Sequence, residues 1–297
     1  ILFCTVISSI ITYGKSVKRI LFYDTNDTYM DFFNSLMYED KPYENKVIYP
    51  PLANAFYYFA SSFVPREVYN QGSFAVRSSQ MGRFIIGIYI SLSTLLFVYA
   101  ILKLKKGCLE ENILFIIILL LSTPFIYLLE RGNLIFLTCS FIMLYLYGYN
   151  SDKTLIKHLS FICLSIAAAF KIYPTIFGFL LLKEKRWKDA GICIVYGVSI
   201  FILPIVFLGG FSKFPLFINN ILNATKTEGL SHPRRIQLSI ANLFNTLSKI
   251  INFEDIKHYC SIVTILILAI GIIILLFVNY KEKWKNIAIP TLLMISI

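Results

Sequence analysis

The sequence predicts an all-α protein that crosses a membrane several times. Three observations lead there. Hydrophobic residues make up 57% of the chain and charged residues only 15%. The mean hydropathy is +0.69. The apolar residues gather into runs close to the roughly 20 residues that a helix needs to cross a hydrocarbon core. A soluble core of 297 residues cannot hide that much apolar surface. The chain starts at Ile1 without a Met and stops inside an apolar run at Ile297, so both ends are expected to be cut from a longer protein.

Taken in order, the expected spans are residues 84–102, 113–129, 132–149, 190–210 and 259–280, with 1–13 and 287–297 as parts of two more. Residues 159–182 are apolar too, but Lys171-Ile172-Tyr173-Pro174 divides them, because Pro174 lacks a backbone donor and interrupts the helical ladder. Two short or tilted helices meeting at a break are expected there. Residues 49–65, an aromatic run opened by Tyr49-Pro50-Pro51, read as a segment that dips into the membrane rather than crossing it. The whole reads as one domain, residues 1–297, with a large first loop at 14–82 and a last one at 211–258.

Cations set the orientation. The runs 103–106, 183–188 and 281–285, with Lys153 and Lys157, hold twelve Lys or Arg in four short connections. Such loops stay cytoplasmic. The loop 14–82, the turn at Glu130-Arg131-Gly132, the break at 171–174 and the loop 211–258 then fall on the opposite side. The protein is thus expected to be multi-pass in the cell membrane, with its chemistry on the extracytoplasmic face.

The net charge of +11 does not call for a nucleic-acid partner, since cytoplasmic anchoring uses 12 of the 28 cations and none forms a basic stripe. Of six cysteines, Cys4, Cys139, Cys163, Cys193 and Cys260 lie in or beside apolar segments and Cys108 stands in a loop, so they behave as small hydrophobes. No CxxC pair, His-x-x-x-His, phosphate-binding Gly loop or Gly-x-Ser-x-Gly occurs. No metal and no cofactor is expected.

What remains is the first loop, which holds seven of the seventeen acidic residues, among them Asp24, Asp27 and Asp31 in eight positions. A carboxylate in a semi-enclosed site at the membrane surface can take a proton from an incoming hydroxyl. The competing structural reading is a capping box over Thr28-Tyr29-Met30-Asp31, with Thr28 starting a short helix and Asp31 closing back on it. Asp27 and Asp31 would then stand one helical turn apart. Asp31 has the competing capping role, which favours Asp27 as the base without excluding Asp31.

Four elements follow one another: the acidic stretch with Lys41-Pro42-Tyr43; Val47-Ile48-Tyr49-Pro50-Pro51-Leu52-Ala53-Asn54; Glu130-Arg131-Gly132-Asn133; and Phe170-Lys171-Ile172-Tyr173-Pro174. In this order, from about residue 20 to about residue 190, they resemble the multi-pass GT-C glycosyltransferases, in particular glycosyltransferase family 87, the polyprenol-phosphate-mannose-dependent α-mannosyltransferases. The resemblance implies a GT-C-like helical bundle that moves a hexose, mannose in that group, from a polyprenyl-phosphate-linked sugar donor in the membrane lipid to a glycan or glycolipid acceptor. It implies inversion, with Asp27 or Asp31 as general base.

A lipid-phosphate leaving group needs cations. Lys171 and Arg131 are the first candidates, each near the end of an apolar segment where an unpaired cation is costly; snorkelling of Lys171, or pairing of Arg131 with Glu130, are the structural alternatives. The last outer loop offers His232, Arg234 and Arg235 in Ser231-His232-Pro233-Arg234-Arg235, which loosely resembles the family's donor-contacting region but is equally a solvated basic loop. Tyr29, Tyr43, Tyr49 and Tyr173 are candidates to line a sugar cleft, although Tyr also marks membrane interfaces. The sequons at Asn26 and Asn223 read as chance matches. A transporter or flippase of lipid-linked sugars, or a surface-polysaccharide polymerase or ligase, is the alternative. Against them stand the absence of an internal repeat and the early position of the acidic loop.

Overall fold

The structure, a computed structural model, describes residues 27–38, 41–231, 256–278 and 282–296. Every regular element among these residues is helical. The chain forms two compact units, Ile1–Asp40 with Ala53–Ser160 and Lys41–Leu52 with Phe161–Ile297. Segment 1–13, Asp24, Asn26, His232, Arg234 and Arg235 lie outside the described residues.

The first unit is built from α1 (Met30–Leu36), α2 (Pro51–Ser61), α3 (Arg66–Tyr69), α4 (Ser73–Ser78), α5 (Gln80–Leu104), α6 (Leu109–Leu120), α7 (Thr123–Arg131), α8 (Ile135–Gly148) and the start of α9 (Thr154–Phe170). Its longest element is α5, 25 residues, whose most apolar 18-residue stretch has a mean hydropathy of 2.3. Ser79 starts this helix by accepting the Gly82 N–H at 2.9 Å. Its outer face carries Phe84, Leu92 and Leu95, each more than 60% exposed, as a lipid-facing helix requires. Its inner face packs on α8, where Phe97, Phe125 and Phe136 close a ring cluster with centroids 4.7 to 5.2 Å apart.

The second unit contains the rest of α9, a 3₁₀ turn at Tyr173–Gly178, α10 (Phe179–Lys183), α11 (Trp187–Ile202), a 3₁₀ turn at Leu203–Leu208, α12 (Phe214–Ser231), α13 (Ile256–Phe277) and α14 (Lys283–Ser296). The break expected at Lys171 is present: α9 ends at Phe170 and Pro174 falls in the 3₁₀ turn. Helix α13 packs on both α10 and α14. A Cβ at Gly271 would lie 2.3 Å from Leu293 Cδ2, so glycine sets the closeness of α13 and α14.

The expected spans need correction in two places. Among the described residues two helices, α5 and Trp187–Leu208, are long and apolar enough to cross a membrane. The expected span 113–129 is instead α6 and α7, bent by 61° across Leu121-Ser122. Pro124 lies in the first turn of α7 and cannot donate to α6, so the ladder restarts there. The expected span 132–149 contains an apolar helix of less than crossing length, Ile135–Gly148, whereas 259–280 falls largely in α13, which is 22 residues long. Residues 49–65 contain α2, which has only 11 residues.

Candidate active site

The site grows from α1, a seven-residue helix held by its apolar side. Met30, Phe32, Phe33 and Leu36 are buried, and the Phe32 ring meets Tyr57 edge-on at 5.6 Å. The far end is tied by Tyr69, whose hydroxyl donates to the Met37 carbonyl at 2.8 Å. Burying those four side chains leaves Asp31 in the first turn, partly exposed.

The capping box does not form. The helix starts at Met30, its N-cap is Tyr29 in the left-handed conformation (φ 61°, ψ 11°), and no side chain caps it. A residue there swings the preceding chain away from the helix axis, so the Thr28 hydroxyl misses the first-turn amides and donates instead to Glu130 Oε1 at 3.4 Å. Asp31 turns outward to charged and amide donors, which bind a carboxylate more strongly than a backbone cap does. Asp27 precedes the helix, so the two acids are not one helical turn apart; a shared partner joins them.

That partner is Arg131, the last residue of α7. Its Nη1 meets Asp27 Oδ2 and its Nη2 meets Asp31 Oδ1. Asn133 Nδ2 donates to Asp31 Oδ2 at 3.0 Å, while its Oδ1 accepts the Ile135 N–H at 3.1 Å. The second bond fixes which end of the amide faces Asp31. The turn between α7 and α8 is held as well: Glu130 carbonyl accepts the Tyr29 N–H at 2.6 Å, and the Asn133 carbonyl accepts the Tyr89 hydroxyl at 2.8 Å. Gly132 makes the turn at φ 65°, with space for a Cβ only 3.1 Å from Phe32.

The three charged side chains differ in access. Asp27 is 50% exposed, Asp31 25% and Arg131 17%. Asp31 has both oxygens engaged and serves as a strut, whereas Asp27 reaches solvent. Two negative charges meet one positive, so the cluster carries a net negative charge. The guanidinium named as a phosphate candidate thus already has two carboxylate partners. Sequence reasoning gave Thr28 only a capping role and overlooked Arg77, whose Nη1 donates to the Thr28 carbonyl at 3.0 Å. Val76-Arg77-Ser78 carries no motif that would have marked it.

The second unit gathers the other motifs. Lys171, just past α9, places Nζ 4.1 Å from the centre of the Tyr49 ring, a cation–π contact that joins Tyr49-Pro50-Pro51 to Lys171-Ile172-Tyr173-Pro174. Tyr173 is partly exposed in the 3₁₀ turn. Tyr43 is covered: it is 3% exposed, its ring lies 5.2 Å from Phe217, and its carbonyl accepts from Asn220 at 2.8 Å. Glu44 pairs with Lys213, whose hydrogen bond and charge hold the Glu44 carboxyl below its ordinary range. Among the described residues no three His, Cys, Asp or Glu side chains gather as metal ligands.

Apolar helices and a guanidinium-bridged carboxylate pair define a membrane protein with a polar site. The family comes from comparison. A model of glycosyltransferase family 87 matches residues 48–295, most of the chain, and the chain belongs to that family. It is a membrane glycosyltransferase, with a sugar donor and an acceptor as substrates. The match contains Tyr49-Pro50-Pro51, Arg131-Gly132-Asn133 and Lys171 to Pro174 but begins after Asp27 and Asp31. No curated protein and no solved structure matches the chain.

Proposed function

We propose that this protein moves a hexose, mannose, from a polyprenyl-phosphate donor to a lipid-linked or cell-envelope glycan, inverting the anomeric carbon, on the extracytoplasmic face of the cell membrane. Asp27 is the general base. The observation that carries this reading is the convergence of Asp27 and Asp31 on Arg131, with Asn133 holding the Asp31 oxygen that Arg131 leaves. It joins the acidic loop to the Arg-Gly-Asn element of the family in one hydrogen-bonded group. The family match through residues of both units supports one transferase domain.

In the reaction the Asp27 carboxylate takes the proton of the acceptor hydroxyl. That oxygen then bonds to the anomeric carbon as the bond from carbon to the phosphate oxygen breaks, and the electron pair leaves with the lipid phosphate. Arg131 and Asp31 hold Asp27 in place. Lys171 meets the phosphate, and His232, Arg234 and Arg235 of the last outer loop are further cations proposed for it. Tyr29, Tyr49 and Tyr173 face the sugars. Tyr43, also a sequence candidate, is buried against Phe217.

The test uses purified protein and a radiolabelled polyprenyl-phosphate sugar. Asp27→Asn lowers transfer by about 100- to 10,000-fold, the span of general-base catalysis, while donor binding survives. Near-normal transfer in both Asp27→Asn and Asp31→Asn sinks the proposal. Lys171→Ala raises the apparent KM for the donor about tenfold; an unchanged KM moves the phosphate site elsewhere.

A further inference from the structure

Among the described residues the fold buries one charged side chain, Glu130, which is 6% exposed in the last turn of α7. A carboxylate out of water is costly unless polar groups meet it. Glu130 meets the turn that precedes α1. Its Oε1 accepts the Thr28 hydroxyl at 3.4 Å, and its backbone carbonyl accepts the Tyr29 N–H at 2.6 Å. A second element, α4, supplies Arg77, whose Nη1 donates to the Thr28 carbonyl at 3.0 Å, with the Phe74 ring 5.1 Å from its guanidinium carbon. The Thr28 hydroxyl, the Thr28 carbonyl and the amide that follows are thus each tied down. Tyr29 is held at φ 61°, ψ 11°, where a tyrosine rests only when its surroundings impose it. Gly132 closes on the same point, since a Cβ there would lie 3.6 Å from the Tyr29 Cα.

Asp27 is the residue before Thr28. Its side chain is 50% exposed, and one of its oxygens, Oδ2, meets Arg131. A side chain that open is aimed by its backbone, and on the C-terminal side that backbone is the planar peptide shared with Thr28. A misplacement of about 1 Å at a reacting group costs on the order of 100-fold in rate, so the direction of this peptide matters to proton removal. We infer that Glu130 and Arg77 are positioning residues of the transferase. Acting through Thr28, they set the direction in which Asp27 leaves the turn, and they serve removal of the acceptor proton rather than binding of the donor. A carboxylate suits the task because its oxygens only accept, which leaves the Thr28 hydroxyl one way to point. This rests on Asp27 as the base.

The test measures kcat and donor KM of the full chain with the radiolabelled polyprenyl-phosphate sugar. Thr28→Val keeps the side-chain shape and removes the hydroxyl; kcat falls about tenfold while donor KM stays within about twofold. Thr28→Ser keeps the hydroxyl and holds kcat within about twofold of native. Glu130→Ala loses what Thr28→Val loses, and the double variant falls no further, because both remove one contact. Arg77→Ala lowers kcat to a similar degree, and Arg77→Lys recovers part of it. Equal kcat in Thr28→Val and Thr28→Ser overturns the proposal, whether or not Glu130→Ala folds. Additive losses in the double variant overturn it, as does native kcat in Arg77→Ala. A raised donor KM at native kcat overturns it too, because the turn would then serve the donor. In an Asp27→Asn background Thr28→Val has no further effect on the residual transfer; a persisting tenfold loss shows the turn aiming another group and sinks the assignment. Near-native transfer in Asp27→Asn alone counts against the base and is read apart from the turn.

Discussion

Gly132 and Asn133 show how few residues hold the carboxylates. An L side chain at φ 65° costs about 1–2 kcal/mol, and a Cβ there would also press on Phe32 at 3.1 Å. Gly132→Ala should therefore lower the unfolding temperature in detergent and transfer with it; an unchanged temperature would show that the turn does not need glycine. Asn133→Asp replaces the donor 3.0 Å from Asp31 by a second acceptor. Transfer should fall on the order of 10- to 100-fold, the cost of an unmet polar group; native turnover would remove Asn133 from the site. Away from these residues, Glu44 sets a pH dependence. Its folded pKa lies below the ordinary 4.5, chiefly through the hydrogen bond from Lys213. The tie is thus present above the unfolded pKa and lost as pH falls through the lowered value. Hydrogen-exchange protection of residues 41–50 should drop between pH 6 and roughly pH 3, and Glu44→Gln should abolish that difference. The residue scale was also where the sequence misled. Thr28-Tyr29-Met30-Asp31 has cap spacing, yet Asp31 is claimed by an Arg 100 positions away, and no local pattern reveals a partner that far along the chain.

Helices were legible where composition alone decides. The runs that became α5 and Trp187–Leu208 are apolar over more than a membrane's thickness, and Pro174 announced the end of α9 because it lacks the backbone donor that continues a helix. The bend between α6 and α7 was hidden, since Leu121-Ser122-Thr123-Pro124 sits in a run whose mean hydropathy stays high while its direction changes. Hydropathy counts residues but carries no direction. Packing between helices was equally illegible, for it depends on which glycine faces a neighbour. Gly271→Val should force α13 from Leu293 and lower the unfolding temperature markedly. Gly191→Ala, on α11 with nothing within 4 Å of its added carbon, should be neutral or stabilise by up to about 1 kcal/mol through helix propensity. Equal effects of the two would show that α13 and α14 do not depend on that contact.

For the whole molecule the open question is which way it faces. The proposed topology, drawn from twelve cations in short connections, has the α5–α6 loop on the cytoplasmic side, and Cys108 in that loop is exposed. A membrane-impermeant maleimide should label Cys108 only after the cytoplasmic face is opened. A cysteine at Glu44 in a Cys108→Ser background should be labelled from outside; the reverse pattern would invert the proposed topology. The bridge from Asp31 to Arg131 spans 100 positions, and that separation has a consequence for biogenesis. At about 5–20 residues per second, the guanidinium leaves the ribosome roughly 5–20 s after the carboxylates it will hold. Through that interval the acidic turn stands without its counterion while α5 and α6 are threaded into the bilayer. On the proposed topology, translocation of the loop thus precedes neutralisation, and the proposed base acquires its geometry only when α7 arrives.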